Sequence, residues 1–242
     1  MKIGIIIQAR MTSTRLPGKI LREVKGKPLI QYQLERLNKV KLKDIPIIAT
    51  TTKQSDDILV EFCKENNIAF FRGSEDDVLS RYYKTAKEFN VDVIVRITAD
   101  CPLIDPTVVD EVIDTFLKEK KCDYVSNTNI RTYPRGMDTE VFTFKALEQS
   151  FYEAKTLSER EHVTPYMYTH PELFKLKAVI AQEDNSSHRW TVDTIEDFEL
   201  IKLILESFYL YKPDFSLEDC LQLLKKNPEW KRINQGVEQK KI

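Results

Sequence analysis

Short apolar runs alternate with amphipathic stretches over the first half of this chain. Ile3–Gln8 is a continuous aliphatic run too short for a helix, and it predicts a strand buried on both faces. Over 28–40, Leu29, Ile30, Leu34 and Leu37 share one helical face, and Pro28 suits the first turn. Ile45–Thr51 reads as a second strand. Ser55 follows as a helix N-cap, with Asp56 and Asp57 in the first turn of a helix that runs to Asn66. A strand over 68–72, a helix over 76–89, a strand over 92–98 and a helix over 106–118 complete this part. Strands alternating with helices predict a mostly parallel sheet covered on both faces, an α/β fold of Rossmann-like, three-layer type.

Past residue 120 the alternation loosens. Residues 122–127 predict another strand. Residues 133–144 are polar, carry Gly136 and end in an extended stretch over 139–144. Residues 148–168 read as helical with many charges, 173–181 as a strand and 189–192 as a short strand. A strong helical pattern covers 194–208, and a last helix over 216–226 closes the fold. No linker, repeat or low-complexity segment interrupts the chain, so residues 1–242 read as a single domain. The polar tail over 228–242 is expected to fray.

Composition removes several classes of function. Lys and Arg number 37 against 38 Asp and Glu, for a net charge of −1, so bulk charge attracts neither nucleic acid nor membrane. The N-terminal apolar run is too short for a signal peptide, and no stretch approaches the ~20 residues of a membrane span. Cys63, Cys101, Cys122 and Cys220 lie far apart, at neither metal-ligand nor disulfide-framework spacing; reduced thiols in the cytoplasm are expected.

Cationic chemistry must therefore come from a local cluster, and one stands out. Directly after the first strand, the run Gln8-Ala9-Arg10-Met11-Thr12-Ser13-Thr14-Arg15-Leu16-Pro17-Gly18-Lys19 gathers Arg10, Arg15 and Lys19 with the hydroxyls of Thr12, Ser13 and Thr14. Open α/β sheets bind ligands at the carboxyl ends of their strands. A polyanion such as a nucleoside triphosphate fits these cations, although a merely solvated basic loop reads about as well from the residues alone. Two acids stand at similar junctions. Asp100, in Thr98-Ala99-Asp100-Cys101-Pro102, ends the fourth predicted strand, where it also reads as a turn residue before Pro102. Asp193, in Val192-Asp193-Thr194-Ile195-Glu196-Asp197, also reads as a helix cap.

The run from Gln8 to Lys19 resembles the first motif of the CMP-sugar synthetase group, A-R-x-x-S-T-R-L-P-x-K. To about residue 200 the chain is similar to the cytidylyltransferase branch named after spore-coat polysaccharide protein F. That resemblance implies a nucleotidyltransferase fold with a mixed sheet, and a homodimer built through a small arm at roughly 130–170. It implies transfer of CMP from CTP to a sugar acid or small phosphorylated acceptor, with Mg²⁺ as cofactor and pyrophosphate released. Arg10 and Lys19 then correspond to triphosphate ligands and catalytic cations. Arg15 helps them, and Gln8, Ala9 and Ser13 add loop contacts. Thr98–Pro102 resembles the group's G-D-x-P segment, with Ala99 in place of the usual Gly, and makes Asp100 a metal ligand. The Asp193 segment resembles V-D-T-x-E-D, whose first acid completes the metal site.

By the same resemblance Arg72, Gly73 and Arg81 frame the cytosine, though Arg81 on a helix also reads as a surface ion pair. Tyr133-Pro134-Arg135-Gly136-Met137-Asp138-Thr139-Glu140 resembles Y-P-x-G-x-D-x-E and is the implied acceptor pocket. There Tyr133 and Arg135 face the acceptor, with Arg135 on an acidic or phosphorylated group. Asp138 and Glu140 hold hydroxyls, their i, i+2 spacing placing them on one strand face. A charged edge strand is the plain alternative. His162 reads equally as a substrate donor or a capping residue, and Arg189 as a contact to substrate or phosphate.

Rival classes fit less well. A glycosyltransferase using a finished sugar nucleotide usually holds its metal through D-x-D, and no Asp-x-Asp occurs. A sugar-1-phosphate nucleotidyltransferase opens on G-x-G-T-R-L, where this chain has Gln8-Ala9-Arg10. A nicotinamide enzyme lacks its G-x-G-x-x-G among six glycines. A non-catalytic nucleotide-binding module would leave both acids idle.

Overall fold

A computed structural model of the chain describes residues 1–239. In chain order the elements are β1 (Ile3–Gln8), β2 (Glu23–Val24), β3 (Lys27–Pro28), α1 (Leu29–Leu37), β4 (Ile45–Thr51), α2 (Asp57–Glu65), β5 (Ala69–Gly73), α3 (Val78–Glu88), β6 (Val93–Thr98) and α4 (Pro106–Lys118). They continue with β7 (Tyr124–Ser126), β8 (Glu140–Thr143), α5 (Phe144–Glu153), α6 (Leu157–His162), α7 (Pro165–Thr169), β9 (Leu176–Ala178), α8 (Ile195–Phe208) and α9 (Leu217–Lys226).

Seven strands form the main sheet in the order β5-β4-β1-β6-β8-β7-β9. The first four are mutually parallel, β8 runs antiparallel to both its neighbours, and β9 is parallel to β7. This is the expected mostly parallel, mixed α/β sheet. Strand β1 lies at its centre and shows why a strand needs no polar face here. Ile5 and Ile7 pack into a core shared with α1, α4, α8 and α9, while Ile6 packs on the opposite face with Leu79 and Tyr82 of α3. Both faces are thus dry, as a continuous aliphatic run requires.

The charged stretch 148–168 is helical as expected, and it divides among α5, α6 and α7. The chain turns at Ala154, Thr156 opens α6 with a capping box to Glu159, and Val163 takes φ +74 and stops it. Three other expectations need correction. Ser55 lies within a 3-10 turn, Gln54–Asp56, and caps nothing. Residues 189–192 form only a bridge, Arg135 to Arg189. The tail is folded rather than frayed as far as residue 239: Pro228–Arg232 is a 3-10 turn, and buried Asn234 donates to the Arg189 carbonyl at 2.9 Å and to Asp197 Oδ1 at 2.8 Å. Residues 240–242 of that expectation lie outside the described residues.

The segment expected as an arm packs on its own chain. Phe151 of α5 stacks on Tyr83 of α3 with ring centroids 4.3 Å apart, and Arg160 of α6 grips Asp77 at 3.0 and 2.5 Å. Among the described residues no helix is long and apolar enough to cross a membrane.

Candidate active site

A polar cleft of about 780 Å³ lies at the carboxyl ends of β1 and β6. The loop after β1 makes one wall and the 128–140 segment with α6 and α7 makes the opposite one. Parallel strands deliver both loops to the same edge, where a ligand can meet them together.

The loop after β1 is held at several points. Leu16 and Ile20 sink into the core, the Gly18 amide donates to the Met11 carbonyl at 3.0 Å, and Gly18 adopts φ +69, a conformation that favours glycine. Asp56 is wholly buried, and its carboxylate accepts from the Met11 amide at 2.7 Å, from Thr50 Oγ1 at 3.1 Å and from Thr51 Oγ1 at 2.5 Å. So anchored, the loop presents Arg10, Ser13, Arg15 and Lys19 to the cleft, beside Gln8 and Ala9. Glu75, after β5, meets this surface: Thr12 Oγ1 donates to it at 2.5 Å, and Arg10 and Lys53 lie 3.5 Å away.

Lys19 is the centre of the site. Its Nζ stands 3.0 Å from Asp100 Oδ2 and 2.9 Å from Asp193 Oδ1, with only 11% of the side chain exposed. Burial alone would lower the Lys19 ammonium, but the two carboxylates outweigh it and hold its pKa above the ordinary value. Burial would likewise raise the Asp100 carboxyl, yet Lys19 and the Thr98 hydroxyl, 2.6 Å away, keep it well below the usual carboxylate range. Asp193 is further braced by Arg189 at 2.7 Å and Arg15 at 3.0 Å. Arg189 in turn is fixed by Asp197, whose carboxylate also accepts the Asp193 amide at 3.0 Å. The two acids, 93 positions apart in the chain, therefore point at one cation.

The far wall sorts the remaining expected residues. Asp138 is gripped by Arg131 through two hydrogen bonds of 2.7 and 2.8 Å. Glu140 borders the cleft but is committed inside it, accepting from Tyr124 Oη at 2.6 Å, from Thr164 Oγ1 at 2.7 Å and from Arg96. Arg96 also donates to Gln8 at 3.1 Å and so ties β6 to the end of β1. Arg135 and His162 line the cleft. Tyr133 does not reach it: the ring is buried and its hydroxyl donates to Glu111 of α4 at 2.9 Å. Arg72, Gly73 and Arg81 also lie off the cleft wall. Arg72 is spent on the Thr51 and Lys53 carbonyls and on Asp57, and buried Arg81 donates to the Ser74 carbonyl.

Burial and the nearby Asp100 charge push the Cys101 thiol far up, which disfavours its thiolate.

Residues 4–226 match the family described as cytidylyltransferase. The chain belongs to the cytidylyltransferase family. It is 43% identical over 242 residues to the uncharacterized protein MJ1063 of Methanocaldococcus jannaschii, covering 99% of this chain and 97% of that one. It is 36% identical over 234 residues to the spore coat polysaccharide biosynthesis protein SpsF of Bacillus subtilis, covering 94% and 95%. A solved cytidylyltransferase from Leptospira borgpetersenii superposes with a TM-score of 0.91 at 40% identity, over the full length of both chains. A CMP:2-keto-3-deoxy-manno-octonic acid synthetase solved with CTP shares the fold, with a TM-score of 0.64 at 16% identity over 86% of this chain and 99% of that one.

Several residues of this cytidylyltransferase site were not picked out from the sequence. Asp56 stands at the start of α2 as expected and also anchors the loop, a role that the sequence does not announce. Asp197 stood in the quoted segment without a role; its T-x-x-D spacing from Thr194 is the capping-box signal that would have located it. Glu75, Arg96 and Arg131 carried no local signal, because their partners lie on other strands and loops.

Proposed function

We propose that this cytidylyltransferase moves CMP from CTP onto an acidic sugar or small phosphorylated acceptor and releases pyrophosphate, as a step in building cell-surface polysaccharide. One observation carries the reading: Lys19, Asp100 and Asp193 converge at the carboxyl ends of two adjacent parallel strands, beside a loop rich in cations. The acceptor class draws support from the SpsF relative and from Arg135, a cation on the cleft wall opposite the cradle.

Mg²⁺ suits the donor set. Asp100 and Asp193 offer hard oxygens to a point where Lys19 now supplies the positive charge. Two carboxylates completed by phosphate oxygens and water are the usual surroundings of this ion. Bound there, it would neutralise charge on the phosphates. The chain's residues do the rest. Lys19 leaves its carboxylates for the triphosphate, Arg10 and Arg15 hold the departing pyrophosphate, and loop amides fix the α-phosphorus for in-line attack by the acceptor oxygen. In this reading Gln8, Ala9 and Ser13 contact the nucleotide from the same loop. Arg72, Gly73 and Arg81 act on the base through the backbone they support. Arg135 and His162 meet the acceptor, and Asp138 does so with Arg131 as its partner. Glu140, Tyr133 and Arg189 are positioning residues. The enzyme works as a homodimer in the cytoplasm, where CTP is made.

The test is pyrophosphate release from CTP and Mg²⁺ against a panel of sugar acids and small phosphates. Release that requires an acceptor supports the reading. CTP that binds without turnover on any acceptor, or CMP that never appears in product, refutes it.

A further inference from the structure

Behind the bridge between Arg135 and Arg189 lies a second cavity, of about 490 Å³, enclosed by residues 186–190, α8, α9 and the 228–239 segment. Of its lining among the described residues, only Arg135 and Gln239 are shared with the catalytic cleft. No carboxylate of the described residues lines it. Four of their cations do: Arg135, Arg189, Lys231 and Arg232. Arg189 is neutralised by Asp193 and Asp197, but the other three have no ion pair among the described residues. Burial and the like charges of Arg131 and Arg189 depress the Arg135 guanidinium, while Asp138 opposes the shift.

A second kind of donor is also unmet there. Trp190 is wholly buried, lines the cavity, and its Nε1–H has no partner among the described residues. His188 packs on that ring at 5.4 Å. Gathered like charges repel, and a buried donor without a partner is destabilising. A bound anion relieves both. Leu200, Leu224 and Val237 give the same cavity an apolar side.

We propose that this cavity is a second binding site that serves the reaction. It takes a small organic anion, a phosphate or carboxylate on a compact apolar body. The wall that would hold it is connected to the chemistry: Arg189 donates to Gln239 at 2.5 Å and to Asp193 at 2.7 Å. Gly136 brings the two cavities together, since a Cβ there would stand 2.6 Å from the Trp190 carbonyl oxygen. The anion is either the distal end of a long acceptor that passes Arg135, or an independent effector.

Phenyl phosphate is the probe, titrated at fixed ionic strength into the full chain carrying Trp230→Phe, so that Trp190 alone reports by fluorescence. A saturable change at millimolar concentrations is expected. Lys231→Gln with Arg232→Gln should weaken it by about tenfold or more, the usual effect of removing charge-assisted contacts. Lys225→Gln with Lys226→Gln, on the exposed side of α9, should leave it within about twofold. No saturable change, or equal weakening in both pairs, overturns the site. These arms need no turnover, so they stand or fall apart from CMP transfer. In the turnover assay, a raised acceptor KM with phenyl phosphate assigns the cavity to the acceptor's distal end. An altered kcat at constant KM assigns it to an effector. Absence of both effects overturns its link to the reaction.

Discussion

The Asp56 carboxylate accepts the Met11 amide at 2.7 Å, tying the loop after β1 to the end of β4 across 45 residues of sequence. The same carboxylate satisfies the hydroxyls of Thr50 and Thr51 and the Thr51 amide, so its removal leaves four donors without their acceptor. Asp56→Ala is expected to lower stability by roughly 2–3 kcal/mol, the scale of leaving buried donors unmet. Urea unfolding measures it. Because the loop carries Arg10 and Lys19, CTP affinity should also fall, whereas an exposed loop acid such as Asp184→Ala should leave both unchanged. Unaltered CTP affinity in Asp56→Ala would show that the loop keeps its shape without this anchor.

Asp100→Asn and Asp193→Asn should each cut CTP-dependent pyrophosphate release by roughly a hundredfold or more, since each removes a hard ligand and a partner of Lys19. Circular dichroism should show the fold intact. A near wild-type rate at saturating Mg²⁺ in either variant would exclude that acid as a metal ligand. Chelation of divalent ions by EDTA should stop turnover, and added Mg²⁺ should restore it.

Lys19→Ala and Arg10→Ala should weaken CTP binding by about tenfold to a hundredfold, as charge-assisted contacts to phosphate do, with the double variant worse. Lys19 carries a second consequence. Its loss leaves Asp100 and Asp193 facing each other across an unoccupied point, so Lys19→Ala should bind Mg²⁺ more tightly than the wild type when no CTP is present. Calorimetry of metal and nucleotide separately reads both effects.

What the sequence shows and what it hides divide along contact distance. The loop from Gln8 to Lys19, Asp100 and Asp193 are legible because each sits in a run whose local spacing carries meaning. The parallel half of the sheet is legible because β1, β4, β5 and β6 are apolar runs broken by amphipathic helices. The extended stretch over 139–144 that forms β8 is legible too, but its antiparallel insertion between β6 and β7 is not, since that depends on pairings such as Arg96 with Glu140, 44 positions apart. The helical character of 148–168 is legible, while the breaks at Thr156 and Val163 are not, because charge periodicity continues smoothly through them. Polar character alone suggested a frayed tail, whereas Asn234 makes it part of the wall behind Arg189.

His188 should make stability depend on pH. Burial and the Lys231 ammonium push its imidazole down to about 4 from an ordinary 6.5. Between those values the unfolded chain holds a proton that the folded chain lacks, so stability rises with pH across the window and is lost as pH falls through it. His188→Gln removes this dependence. The wild-type melting temperature should drop relative to His188→Gln between pH 7 and pH 4.5, at roughly 2–4 °C for each kcal/mol lost. A constant difference across that range would mean that folding does not shift the His188 imidazole.

Arg135 offers a way to tell the acceptor side of the cleft from the nucleotide side. Its guanidinium lines the cleft opposite the cradle and makes no ion pair among the described residues, while neighbouring Asp138 is already held by Arg131. A forked cation facing a carboxylate or phosphate is poorly replaced. Arg135→Ala should therefore raise acceptor KM by about tenfold or more and leave CTP affinity within about twofold, and Arg135→Lys should recover only part of the loss. Arg131→Ala should act differently. It frees Asp138 and leaves that carboxylate facing the acceptor's own negative charge, so it too should raise acceptor KM, and Arg131→Ala with Asp138→Ala should be milder than Arg131→Ala alone. Measuring CTP affinity without acceptor beside acceptor KM for the same variants decides the matter. If CTP affinity falls and acceptor KM holds steady, the 128–140 wall belongs to the nucleotide, and the acceptor must enter from another side of the cleft.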